Sequence, residues 1–117
     1  MKIVEKPWGR EVWIAHTDKY ALKIIEIKAG NRSSLQLHRL KHEHLYVDQG
    51  TFRVEHEDDD GAMQVSMLQS GEVIEIRPGK RHRAEGVSDV RLFEVSTPEL
   101  DDVVRLADDY GREEEQR

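Results

Sequence analysis

The chain has 117 residues, room for one domain of ordinary size. Its apolar share is 37% and its charged share 36%, against typical shares of about 45–50% and about 25%, which excludes a thick parallel sheet buried on both faces and suits strands that bury one face. A net charge of -6 argues against a broad nucleic-acid-binding surface, and the absence of cysteine removes disulfides, thiolate metal sites and cysteine nucleophiles together.

The segment from Met1 to Pro7 lacks the apolar stretch of a secretory signal, and no run is long enough for a transmembrane helix, so the cytoplasm is the expected location. Tyr20 to Lys28 reads as a strand rich in Leu and Ile, ending at Ala29-Gly30. Glu43 to Val47 and Thr51 to Glu55 flank Asp48-Gln49-Gly50, which reads as a hairpin turn. The acidic loop Asp58-Asp59-Asp60-Gly61 precedes a strand from Met63 to Leu68. Ser70-Gly71 is a further turn, after which Val73 to Ile76 runs into Pro78-Gly79, and Arg91 to Ser96 stops short of Pro98. Short strands with frequent Gly and Pro punctuation predict an all-β sandwich or barrel. One helix is expected, from Pro98 to Asp109, because Asp101 and Asp102 enrich its first turn. Residues 1–112 are read as a single domain and 113–117 as a charged tail, a solvated end.

Three of the six histidines crowd into the stretch from Leu37 to His44. Side chains two apart on a strand share a face, so Gln36 and His38 point the same way. Glu43 can return to that region after a tight turn, and His82, just past Pro78-Gly79, can supply a fourth group. Two imidazoles, a carboxylate and an amide oxygen make a mixed nitrogen and oxygen set for one divalent ion of Zn, Mn, Fe, Co or Ni. Side-chain ligands at four positions leave coordination sites open, as a catalytic rather than a structural metal requires.

The series Gly30, Gln36, His38, Glu43, Gly50 resembles the first cupin motif, with Gln in place of its first His, and Gly71, Gly79, His82 resembles the second. Arg77 stands where that second pattern usually has Pro, and Gly86 where it usually has Asn. Lys6-Pro7-Trp8-Gly9, Lys23, the run from Ser34 to His38, Glu43-His44, Gly50-Thr51 and the ending from Asp101 to Arg112 are similar to the C-terminal cupin of type II mannose-6-phosphate isomerases. Members of that family often carry a His-rich run where this chain has Arg39 and Leu40, and an aromatic where it has Leu45. Many also carry an upstream nucleotidyltransferase domain, so the chain is expected to be a stand-alone relative.

The resemblance implies a double-stranded β-helix, a jelly-roll barrel of about eight strands with a short C-terminal helix, and a homodimer. It implies carbohydrate metabolism in polysaccharide biosynthesis, with aldose–ketose isomerisation of mannose 6-phosphate as the activity. A non-catalytic sugar-binding cupin and an Fe(II)-dependent oxygenase are the alternatives. Lys23, Glu94 and Arg112 are then the expected catalytic residues, and Lys80 and Trp8 the expected substrate-binding ones. From the strand alone Lys23 reads more simply as an outward-facing lysine, and Trp8 as packing at the barrel mouth or in a subunit contact. Arg39, Lys41, Arg77, Lys80, Arg81 and Arg83 form either an anion-attracting surround or a solvated face paired with carboxylates. His42 and His44 should point away from Glu43, and His16 and His56 into solvent.

Overall fold

The structure, a computed structural model, describes residues 1–113. Among them are eleven strands: β1 (Lys2–Lys6), β2 (Gly9–His16), β3 (Ala21–Ile27), β4 (Leu35–Leu37), β5 (Glu43–Gln49), β6 (Phe52–Glu57), β7 (Met63–Leu68), β8 (Val73–Ile76), β9 (His82–Gly86), β10 (Val90–Ser96) and β11 (Val104–Ala107). They form a six-stranded sheet in the order β1-β2-β3-β10-β5-β8 and a five-stranded sheet in the order β11-β4-β9-β6-β7. Every pairing is antiparallel.

The chain repeatedly crosses between the sheets. Asp48-Gln49-Gly50 does not close a hairpin: β5 pairs with β10 and β8, while β6 pairs with β7 and β9. Gly50 makes the crossing possible, because its φ is 92° and a Cβ there would lie 2.1 Å from the Asp89 carbonyl oxygen. The expected helix from Pro98 to Asp109 is absent too. Val104–Ala107 forms β11, which pairs with β4 and buries Val104 and Arg105. Asp102, expected in a helical first turn, instead accepts backbone hydrogen bonds from another loop. Sheet completion outweighed the local helix signal. Of the charge run, residues 114–117 lie outside the described part.

Period-2 alternation explains what faces inward. In β3 the buried positions are Ala21, Lys23, Ile25 and Ile27; in β5, Glu43, Leu45 and Val47; in β10, Val90, Leu92, Glu94 and Ser96. The register sets Glu94 beside Lys23 and Ser96 beside Glu43. Each central strand is therefore polar at one end of the barrel and apolar at the other. At the apolar end Ile25, Ile27, Leu45, Val47, Val90 and Leu92 pack with Phe52, Val54, Ile76 and Trp8. Burying each large member contributes about 1.5–3 kcal/mol, so this end holds the sheets together.

The outer face of the larger sheet carries an apolar row. Cross-strand neighbours link Ile3 to Val12, Val12 to Ile24, Ile24 to Phe93, Phe93 to Tyr46 and Tyr46 to Val73. Tyr46 and Phe93 stack with centroids 6.0 Å apart. Ile3, Tyr46, Val73 and the neighbouring Val95 remain exposed.

Candidate metal centre

Four loop and strand ends meet at the polar end of the barrel. Gln36 on β4 lies opposite His82 at the start of β9, Glu43 begins β5, and His38 sits in the turn between β4 and β5. That turn is held from a distance. The Asp102 carboxylate accepts hydrogen bonds from the backbone N–H groups of Arg39 (3.1 Å), Leu40 (2.6 Å) and Lys41 (3.1 Å). These bonds hold the Asp102 carboxyl below its ordinary range, against the opposing push of burial. The His38 carbonyl in turn accepts the N–H of Gly79, tying the two motif loops together.

His38, Glu43 and His82 are all buried, and their ligand atoms lie within 4.8 Å of one another. His38 Nδ1 is 2.6 Å from the Asp102 carbonyl and His82 Nδ1 is 3.0 Å from the Lys80 carbonyl. A carbonyl only accepts, so each Nδ1 carries the proton and each Nε2 presents a lone pair. Those Nε2 atoms face Glu43 Oε1 at 3.5 and 3.3 Å. His38 Nε2 is fully buried and has no hydrogen-bond partner. Two imidazole lone pairs and a carboxylate oxygen aimed at one another fit a divalent cation, which all three would share. The Gln36 side chain lines the same cavity, with its Oε1 accepting a hydrogen bond from Ser34 Oγ at 2.7 Å.

Behind Glu43 runs a ladder of alternating charge. Lys41 Nζ is 3.2 Å from Glu43 Oε2 and 3.1 Å from Glu94 Oε2; Lys23 Nζ is 3.5 Å from Glu94 Oε2 and 3.1 Å from Glu11 Oε1. Burial opposes ionisation of Glu43, yet the adjacent Lys41 charge outweighs it and holds the carboxyl well below the usual range. Burial, reinforced by the Glu43 charge, pushes Glu94 up to about 7 against the pull of Lys23 and Lys41. Lys41 is raised: burial disfavours its charge, but Glu94 and Glu43 more than compensate. Three carboxyl groups interleave with two lysines, so the ladder ends on Glu43 beside the histidines and on Glu11 at its far side.

The cavity above these groups measures about 460 Å³. Trp8, buried among the core residues, forms part of its wall. Lys23 is buried and points inward, against its outward reading. Arg112 lines the mouth, its Nε donating to Asp108 at 2.8 Å. Lys80 lies outside the cavity lining and donates to the Asp58 carbonyl at 3.1 Å. The basic surround divides likewise: Arg77, Arg81 and Arg83 pair with carboxylates away from the cavity, and Lys41 lies within it. His42 and His44 face outward beside Glu75, as expected. His16 contacts the Pro98 carbonyl at 2.9 Å, and His56 the Ser66 hydroxyl at 2.8 Å.

Lys41, one of the basic surround, shares a face with Glu43 by simple alternation, a signal available in the sequence for its inward position. Lys6, Glu11 and Arg105 carried no such signal. Arg105 enters the cavity because β11 places it opposite Gln36, a pairing hidden by the helix expectation.

Two antiparallel sheets enclosing His38, Glu43 and His82 at one end define a cupin barrel. The fold is similar to that of KdgF from Halomonas sp. (TM-score 0.74, 22% identity, covering 87% of this chain and 90% of that one). It is also similar to a formate complex of oxalate decarboxylase from Lactobacillus farciminis (TM-score 0.75, 21% identity, 90% of this chain and 33% of that one). Residues 1–108 match the family described as Mannose-6-phosphate isomerase C-terminal, and the chain belongs to that family. Among curated relatives, a mannose-1-phosphate guanylyltransferase of Escherichia coli K12 is 39% identical over 114 residues, covering 93% of this chain and 23% of its own length. The xanthan biosynthesis protein XanB of Xanthomonas campestris (strain B100) is 33% identical over the same shares. The chain thus spans about a quarter of the length of these relatives.

Proposed function

We propose that this cupin is a metal-dependent aldose–ketose isomerase acting on a sugar phosphate, with mannose 6-phosphate as the specific substrate. The observation that carries the reading is the convergence of His38, Glu43 and His82 beneath a cavity whose lining includes Lys6, Arg105 and Arg112. Gln36, His38, Glu43 and His82 would hold the ion. When bound, a divalent ion supplies Lewis-acid polarisation of carbonyl and hydroxyl oxygens. Asp102 and the Lys80 carbonyl fix the imidazole tautomers, which keeps both Nε2 atoms available. Lys23 and Glu94, which line the cavity as an ion pair, would move a proton between adjacent carbons of a bound sugar. Lys6, Arg105 and Arg112 offer charge-assisted hydrogen bonds to a phosphate. Ile25, Leu45 and Leu92 give part of the cavity an apolar wall, where the lower local dielectric would strengthen these interactions.

A second reading is supported by the closed pairing of Lys23 and Lys41 between carboxylates: a barrel that binds a sugar phosphate without turning it over. The two separate in one experiment. The purified chain is assayed with mannose 6-phosphate, stripped with a chelator, and assayed again with added Mn, Zn, Co or Fe. Turnover lost on stripping and regained with metal supports the isomerase. Saturable binding with no product under any metal rejects it in favour of the second reading.

We also propose that two copies pair through the apolar outer face of the larger sheet.

A further inference from the structure

We propose a second transition-metal site on the outside of the barrel, formed by His42, His44 and Glu75. It is independent of the interior reading. His42 and His44 are two residues apart and share the outward face, while Glu75 on β8 is the direct cross-strand neighbour of His44. The two imidazoles stack at 5.6 Å between centroids with 26° between planes, which brings their edges to one side. His42 Nε2 is 2.8 Å and His44 Nε2 3.9 Å from the same oxygen, Glu75 Oε2. One ligand atom from each residue falls within 4.8 Å of the other two, the same convergence as at the interior site. The other Glu75 oxygen, Oε1, is engaged by Arg77 Nε at 3.6 Å, so the carboxylate is oriented with Oε2 turned to the histidines. In the single chain all three side chains are between 38 and 46% exposed, open to an ion from solvent, at the border of the apolar row that includes Tyr46 and Val73.

Two imidazoles and one carboxylate select Zn, Ni or Cu over Mg or Ca. The ion takes the place of the proton that His42 donates to Glu75, and three protein ligands leave a coordination position open to water or to a further donor. The Arg77 charge opposes the ion and lowers the affinity.

The test is equilibrium dialysis of the chelator-stripped full chain against Zn²⁺, with wild type, a His42→Ala/His44→Ala variant, Glu75→Ala and Arg77→Ala compared. The surface substitutions leave the core untouched, and circular dichroism checks this. The double variant is expected to bind one equivalent fewer than wild type, whatever the interior site retains. Glu75→Ala removes a ligand outright and should weaken the same equivalent by more than the ~10–100-fold typical of losing a ligand's outer partner, and Arg77→Ala should tighten it. Equal stoichiometry in wild type and the double variant overturns the proposal. Loss of zinc only on replacing His38 or His82 also overturns it.

Discussion

The carbonyl oxygen of Asp102 accepts the Nδ1 proton of His38 at 2.6 Å, across 64 residues of sequence. The same residue's carboxylate gathers three backbone N–H groups of the following turn. One residue thus fixes both the tautomer of an imidazole and the loop that carries it. Asp102→Ala keeps the carbonyl but frees the loop. It should lower stability by about 0.5–1.5 kcal/mol for each hydrogen bond lost that water does not replace and weaken interior metal retention by about 10–100-fold. Asp102→Asn, which retains one acceptor oxygen, should fall between the two. Urea denaturation and metal titration measure the pair of effects; unchanged metal affinity in Asp102→Ala would mean that the turn is held by other contacts.

Lys41 is the pivot of the buried ladder, within 3.2 Å of both Glu43 and Glu94. Removing one partner of a buried ion pair leaves the other charge uncompensated, at a cost of about 3–5 kcal/mol. Lys41→Met should destabilise the stripped protein by that amount. Adding Glu94→Gln should recover part of the loss, with a coupling of about 0.5–3 kcal/mol in the double-mutant cycle. Additive effects would contradict the ladder.

Acid should weaken the fold through carboxylates away from the histidines. Burial raises the Glu11 carboxyl, but Lys23 and Lys6 more than reverse this and bring it below its ordinary 4.5. Asp108, beside Arg112, and Asp109, beside Arg32, are held below their ordinary 3.8. Groups with depressed folded values stabilise fully above the unfolded value and lose that contribution as pH falls through the folded one. Protonation of Glu94, pushed up to about 7, should raise the melting temperature as pH falls from neutrality, and the depressed carboxyls should then lower it as pH falls below their ordinary values. Glu11→Gln should flatten the upper part of that fall in a thermal scan across pH.

The apolar row from Ile3 to Val73 predicts self-association. Val95, 52% exposed beside that row, can be replaced by Glu at a cost to the single chain within about ±0.5 kcal/mol, the usual range for surface positions. The variant should sediment as a monomer, and wild type as a dimer. A monomeric wild type at high concentration would remove the outer face as the pairing surface.

The sequence made the barrel legible because its signals were local and periodic. Met63 to Leu68 and Val73 to Ile76 form strands with the bounds their alternation and flanking turns indicated. His38, Glu43 and His82 come together as their spacing around Gly50 and Gly79 suggested. What escaped was non-local. Whether Gly50 closes a hairpin or passes between sheets depends on β10 lying between β3 and β5, which no window around residue 50 contains. Asp101-Asp102 carries the same acidic signal whether it begins a helix or clamps a distant turn. Val104-Arg105-Leu106-Ala107 became a strand because β4 offered it an unpaired edge.

The lengthwise division of β3, β5 and β10 makes durability and chemistry separately tunable. Truncations at Leu92 or Val47 empty space at the sealed end and should appear in screens for folding. Exchanges at Lys6, Arg105 or Arg112 reshape the entrance and should appear in screens for ligand preference. A protein engineer could therefore change what this vessel accepts while leaving its floor intact.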